Sequence, residues 1–310
     1  MSPTELAGPL ALVAHDAGGA EILSSLLRRG VLGPQPDLRL VLDGPARAIF
    51  EGKLGPCQVM SLAQALDGAG TLLSGSGWQS TLECDALHGA RAAGVPSIVF
   101  LDHWVNYRER FERDGRCELP DRFWVGDDDA LATARATWPD RPVERVANPY
   151  FADLREGLAA RSAAAARSPG TGLRVLFVCE PVREPAQRLH GHPLHWGYTE
   201  ESALAYVLQG LAGFGEPVAA LVLRPHPSEA PDKYDALLAQ SPWPVRRGGG
   251  HSLLDEVAAS DLVIGCNSMA LVVGLLGGKR VLCGIPPGGP ACALPHRRIE
   301  MLRDLVLPRA

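Results

Sequence analysis

Residues 10–29 read LALVA-HDAGG-AEILSSLLRR, and this stretch decides the fold. Five apolar residues, Leu10 to Ala14, stop at a polar turn that holds two adjacent glycines, Gly18 and Gly19. A helical apolar period then runs through Ala20–Arg29. A continuous apolar run marks a strand covered on both faces, and the period after it marks an amphipathic helix. The same unit recurs outward from here. Leu38–Leu42, Thr71–Ser74, Ser97–Leu101, Arg122–Val125 and Val143–Ala147 are predicted strands. Ala46–Gly52 and Ser80–Ala93 are predicted helices, and a third is opened by Asp127, Asp128 and Asp129. Acids at a helix start suit capping and the helix dipole, so this triplet is read as a cap.

A helix from about Phe151 to Ala166 leads into Ser168-Pro169-Gly170-Thr171-Gly172, which reads as a linker. A second series follows. Its strands are Arg174–Cys179, Ala219–Leu223, Pro244–Arg246, Leu262–Gly265 and Arg280–Gly284. Its helices are Thr199–Leu211, Asp232–Gln240, Ser252–Ala259, Ser268–Leu276 and a closing one from about Pro295 to Leu307. Alternating strands and helices imply parallel sheets. The expectation is an α/β chain of two doubly wound, Rossmann-like domains facing a cleft, over residues 1–167 and 173–310. Ligands in such sheets bind beyond the carboxyl ends of the strands.

Composition narrows the function. A net charge of −5 argues against a nucleic-acid partner, which calls for a basic patch. The 46% hydrophobic content is enough for sizeable cores. Cysteines 57, 84, 117, 179, 266, 283 and 292 form no C-x-x-C, which argues against a disulfide scaffold or zinc knuckle. Cys266 and Cys283, on apolar strands, are expected to be inert core thiols. Leu10–Ala14 is too short for a leader, and no run approaches the roughly 20 apolar residues of a membrane span. The expectation is a cytoplasmic protein with room for peripheral membrane contact.

The unusual residues cluster at strand ends. His15-Asp16-Ala17-Gly18-Gly19 lets backbone N–H groups approach an anion and sets two titratable side chains beside it. Ser74-Gly75-Ser76-Gly77-Trp78-Gln79-Ser80-Thr81 is a second Gly-rich turn, suited to a sugar or phosphate. Leu101 runs directly into Asp102-His103-Trp104. Asp16 and Asp102 are rival general bases, and His15 and His103 stand beside them. In the second series, Arg224-Pro225-His226-Pro227 holds an imidazole stiffly past a strand. Asn267-Ser268-Met269 opens a helix whose N-terminus suits an anion. Glu180 to Tyr198 reads as a long loop, an active-site lid in expectation. Its His190, His192 and His195 invite a zinc reading but lack a partner ligand at matching spacing.

Arg224-Pro225-His226-Pro227 resembles the R/K-x-H-P motif of certain glycosyltransferase-like enzymes of the GT-B fold. Bacterial sialyltransferases, capsule transferases and teichoic-acid glycerophosphotransferases are among them. Ser-Asp-Leu-Val-Ile-Gly-Cys-Asn-Ser-Met-Ala (260–270) resembles their second donor motif, about 40 residues further on. The resemblance covers roughly residues 173–285. It implies that His226 and Ser268 hold the phosphate of a CMP- or CDP-activated donor, with Arg224 and Asn267 nearby. Many UDP-sugar enzymes of this fold place a Glu five residues after the Ser. Here that residue is Val273, which disfavours a UDP-sugar held in that way.

The resulting expectation is metal-independent transfer of a sugar or sugar-like group from a nucleotide sugar to a glycan or small-molecule acceptor. Asp16, His15, Asp102 and His103 are the expected catalytic residues. Gly18, Gly19, Arg224, His226, Asn267, Ser268 and Met269 are the expected donor contacts. No cofactor is expected beyond the nucleotide-activated substrate. A nucleotide-sugar hydrolase or 2-epimerase and a non-catalytic binding protein are the rivals.

Overall fold

The computed structural model describes residues 6, 8–34, 37–77, 80–113, 116–162, 172–213 and 215–306. Trp78 and Gln79 of the second Gly-rich turn lie outside these, as do residues 168–171 of the expected linker. The chain forms two compact units, Met1–Asp153 and Leu154–Ala310. The division falls inside the helix Pro149–Ser162. Each unit is a doubly wound α/β domain built on a six-stranded, all-parallel sheet.

The first unit holds β1 (Leu10–Ala14), β2 (Leu38–Leu42), β3 (Thr71–Ser74), β4 (Ser97–Leu101), β5 (Arg122–Val125) and β6 (Val143–Arg145). Their order is β2-β1-β3-β4-β5-β6. β1 and β4 are buried along their whole length, as continuous apolar runs require when helices cover both faces. Leu10, Leu12, Leu73, Phe100 and Trp124 from the sheet pack with Leu23, Leu26 and Phe50 in one core. Those last three come from α1 (Ala17–Arg28) and α2 (Pro45–Leu54). Next come α3 (Leu62–Leu66), α4 (Leu82–Ala93) and α5 (Asp128–Thr137), then α6 (Pro149–Ser162). Asp127 caps α5 by accepting the Ala130 N–H at 2.7 Å, as the acid triplet implied. Residues 112–113 and 116–117 pair as a short antiparallel hairpin.

The second unit holds β7 (Leu173–Val178), β8 (Val218–Arg224), β9 (Val245–Arg247), β10 (Leu262–Gly265), β11 (Arg280–Cys283) and β12 (Ile299–Met301). The order is β9-β8-β7-β10-β11-β12. Its core joins Val175, Phe177, Leu221, Leu223, Ile264 and Leu282 of the sheet to Leu204, Val207 and Leu211. The helices are α7 (Arg183–His190), α8 (Glu200–Ala212), α9 (Asp235–Leu238), α10 (Leu253–Ala259), α11 (Met269–Leu276) and α12 (Leu302–Leu305).

Two expectations fail here. The closing helix is an edge strand, β12, followed by the single turn α12. β11 would otherwise leave a row of backbone groups open at the sheet edge. β12 covers them, and Glu300 accepts two hydrogen bonds from Arg280 across the pair. The expected lid loop contains α7. Pro185 falls in the first turn of that helix, where a missing N–H costs nothing. Gly191, at φ +70°, ends it in the left-handed conformation that glycine adopts without strain.

Candidate functional site

Strand order dictates where a site forms. A doubly wound sheet opens a crevice where successive strands leave in opposite directions from one strand. In the first unit that point lies between β1 and β3, and in the second between β7 and β10. Most of the residues singled out from the sequence follow these strands and their neighbours β4 and β8.

At the end of β1, His15 and Asp16 form a pair: Nδ1 of His15 lies 2.8 Å from Oδ1 of Asp16. Asp16 occupies the N-cap position of α1 but makes no side-chain cap there. The His15 N–H donates to Oε1 of Glu83, on α4, at 2.8 Å. Glu83 is 3% exposed, and among the described residues its buried Oε2 has no hydrogen-bond partner. Burial raises the Glu83 carboxyl above the ordinary range, and the His15 N–H offsets part of that. Gly77, after β3, sits between the two acids. A Cβ there would come within 2.5 Å of Glu83 Oε1 and 2.9 Å of the Asp16 carboxyl carbon. Both carboxyls therefore flank one α-carbon.

Asp102, at the end of β4, is tied down. Its Oδ1 accepts from Ser76 Oγ at 2.7 Å and from Arg110 Nη1 at 2.9 Å. Arg110 and Asp102 are 8% and 12% exposed, so this ion pair is largely withdrawn from water. Arg110 also donates to the Ser76 carbonyl. A Cβ on Gly18 would lie 1.9 Å from Asp102 Oδ2, and one on Gly19 would lie 3.0 Å from the Gly75 backbone. The two glycines thus admit the protein's own groups to the first turn of α1. Trp104 is buried and donates its indole N–H to Asp127 at 2.9 Å. His103 packs edge-on against Trp104.

In the second unit, adjacent strand ends in the order β8, β7, β10 carry His226, Glu180 and Asn267-Ser268. At about 4.8 Å per strand, the row spans about 10 Å. The Ser228 N–H donates to His226 Nδ1 at 3.2 Å, with Ser228 Oγ also at 2.8 Å from it. An accepting Nδ1 sets the tautomer with hydrogen on Nε2. His226 is exposed, and its own N–H is held by Glu229 Oε2. Glu180 accepts the Asn267 N–H at 2.9 Å, and burial pushes its carboxyl up to about 7. Ser268 caps α11 by accepting from the Ala270 N–H at 3.2 Å. Asn267 Oδ1 accepts from the Ala293 N–H. Met269 is the first residue of α11.

Arg224 is committed elsewhere. Its Nη1 donates to the buried Glu256 at 2.9 Å and to the His251 carbonyl at 3.0 Å. A cavity of about 480 Å³ shares Ser228 and Glu229 with the His226 loop, and Arg183, Gln187 and Lys233 also line it. Lys233 bridges Glu200 and Glu229 on its wall. His190 and His195 stack ring on ring at 3.7 Å. Among the described residues, no group of three or more His, Cys, Asp or Glu side chains is placed to hold a metal ion.

Glu83, Arg110 and Glu180 were not identified from the sequence as site residues. Glu83 stands three residues after Ser80, the spacing of a capping box, yet its carboxyl crosses to β1. Glu180 stands two residues past the buried strand β7, and that position is the available signal.

No family model matches the sequence, and no curated protein matches it. Among solved structures the chain is similar to the UDP-GlcNAc 2-epimerase from Methanocaldococcus jannaschii. That match has 10% identity, covers 89% of this chain and 83% of the other, and has a TM-score of 0.56. The chain is also similar to the glycotransferase of kitacinnamycin, with 16% identity, 93% and 82% coverage and a TM-score of 0.50. At such identities the likeness is one of fold, and it agrees with the two-domain Rossmann-like architecture described above.

Proposed function

We propose that the protein transfers a sugar or sugar-like group from a nucleotide-activated donor to an acceptor hydroxyl, with a CMP- or CDP-type donor favoured over a UDP-type one. The observation that carries this reading is the row His226, Glu180 and Asn267-Ser268 on three adjacent strand ends. The His226 imidazole, with hydrogen on Nε2, donates to a phosphate oxygen. The first-turn N–H groups of α11 attract the same charge. The row is long enough for a phosphate and its nucleoside. Val273 is buried within α11, which supports the preference against a UDP donor held by a carboxylate at that position.

The chemistry is a direct displacement. The acceptor oxygen bonds to the reacting carbon of the donor as the bond from that carbon to the phosphate oxygen breaks. The acceptor proton goes to His15 Nε2, while Asp16 holds the opposite ring nitrogen and steadies the imidazolium. Asp102, fixed by Arg110 and Ser76, shapes the turn that carries this pair. The leaving phosphate is met by His226 and the start of α11. The scheme uses no metal ion.

The test is a thermal-shift titration with CMP, CDP, UDP and GDP, since a ligand of the native state raises the midpoint as it saturates. A shift selective for a cytidine nucleotide and lost in His226→Ala supports the reading. His226→Ala also lowers turnover at least about tenfold without unfolding the protein. Donor consumption without acceptor would mark a hydrolase or epimerase instead. No shift with any nucleotide would overturn nucleotide binding altogether.

A further inference from the structure

Two thiols of the second unit share one oxygen. Cys283, the last residue of β11, donates its Sγ–H to the Cys266 carbonyl at 3.2 Å. Cys292 points its Sγ at the same carbonyl from 3.7 Å. Cys283 is fully buried, while Cys292 is partly exposed. The intervening segment, 284–291, contains three glycines and three prolines and forms a loop. It is pinned at several points. Arg303 donates to the Gly289 carbonyl, and just past the loop the Ala293 N–H donates to Asn267 Oδ1 at 2.8 Å. A Cβ on Gly289 would lie 3.0 Å from the Tyr198 ring.

We propose that Cys283 and Cys292 are a thiol–disulfide site that closes on exposure to a low-molecular-weight disulfide and clamps the 284–291 loop. Both sulfurs already converge on one carbonyl oxygen, so they face each other across the ends of the loop. Their roles differ. The neighbouring Cys283 thiol holds the Cys292 thiol below the ordinary thiol range. The same contact, then burial, push Cys283 up. Cys292 is therefore the attacking thiolate and also the one that solvent can reach. Its sulfur attacks one sulfur of the small disulfide and releases one small thiol, leaving a mixed disulfide on Cys292. Cys283 then gives up its proton and attacks the Cys292 sulfur. The second small thiol leaves with that proton. Two protein thiols are oxidised and one small disulfide is reduced to two thiols.

This inference does not depend on the proposed reaction. It matters to that reaction because Ala293, next to Cys292, is held on Asn267, beside the helix start proposed for the donor phosphate.

The experiment treats the whole protein with glutathione disulfide and reads intact mass. The expected product is about 2 Da lighter, with peptide mapping joining Cys283 to Cys292. Cys292→Ser abolishes the product, and Cys57→Ser, in the first unit, leaves it unchanged. A retained glutathione adduct in the wild type, an unchanged mass or a different cysteine pair would overturn the site. Hydrogen exchange over 284–294 is expected to slow on oxidation. Unchanged exchange in the oxidised protein would overturn the clamp. Because Cys292 is partly exposed, its serine variant is expected to keep the wild-type melting midpoint.

Discussion

The crevice between β1 and β3 and the crevice between β7 and β10 arise from the same winding, yet their helix starts are used in opposite ways. At α1 the N-cap residue, Asp16, turns its carboxylate to His15. The second helical residue is Gly18, and Asp102 lies against it. At α11 the N-cap residue, Ser268, caps its own helix, and the second helical residue is Ala270. In the first unit the protein's own acids crowd the turn. In the second, Glu180 takes one N–H, and a short polar cap is followed by a residue with an ordinary side chain. A place lined with carboxyls suits proton transfer to and from a hydroxyl and repels phosphate. A capped helix start beside a neutral imidazole suits phosphate. The proposed reaction draws on this difference, with acceptor chemistry at the first crevice and the donor phosphate at the second.

The widest gap between the two crevices is expected in activity. His15→Ala is expected to lower turnover by about 10²–10⁴-fold with nucleotide binding retained, measured by single-turnover kinetics beside the thermal shift. Equal loss of binding and rate would erase the division of labour.

Next comes the commitment of Arg224. Removing it leaves Glu256, whose side chain is 1% exposed, buried without its cation. Arg224→Ala is expected to cost about 3–5 kcal/mol in denaturant unfolding. A stable variant with weakened nucleotide binding would instead make Arg224 a donor contact.

Gly18→Ala tests the crowding directly. The added methyl meets Asp102 Oδ2, which Arg110 and Ser76 hold in place, so a loss of about 1–3 kcal/mol is expected. The matching change in the second unit, Ala270→Gly, is expected to cost only about 1 kcal/mol, through helix propensity. Similar losses would mean the two turns are packed alike.

The last difference is in pH dependence. Glu180, raised to about 7, holds an extra proton in the folded state between the ordinary Glu value of about 4.3 and that point. The folded protein binds more protons than the unfolded chain in this window. Stability therefore falls as pH rises through it, by roughly 1–3 kcal/mol, and levels off above it. Glu180→Gln is expected to flatten this slope. Glu83→Gln is expected to act in the same direction from the first unit, because burial raises that carboxyl too. A slope that neither variant changes would show that both carboxyls titrate normally.

The sequence by itself determined the two series of buried strands, because runs such as Leu10–Ala14 and Leu262–Gly265 are apolar enough to demand cover on both faces. It also placed the polar turns after those strands, since glycine, histidine and serine there break the apolar run. It did not foresee β12, whose three residues, Ile299-Glu300-Met301, are too short a run to set a strand apart from a helix and pair along the edge of β11. Nor did it show Glu83 meeting His15 across 68 positions or Glu180 meeting Asn267 across 87. Only the tertiary structure decided these, and with them which acids are tied. The physical reason is range. Hydrophobic periodicity is a local property of the chain, whereas burial of a carboxyl and the N–H that meets it depend on strands that become neighbours only when the sheet forms.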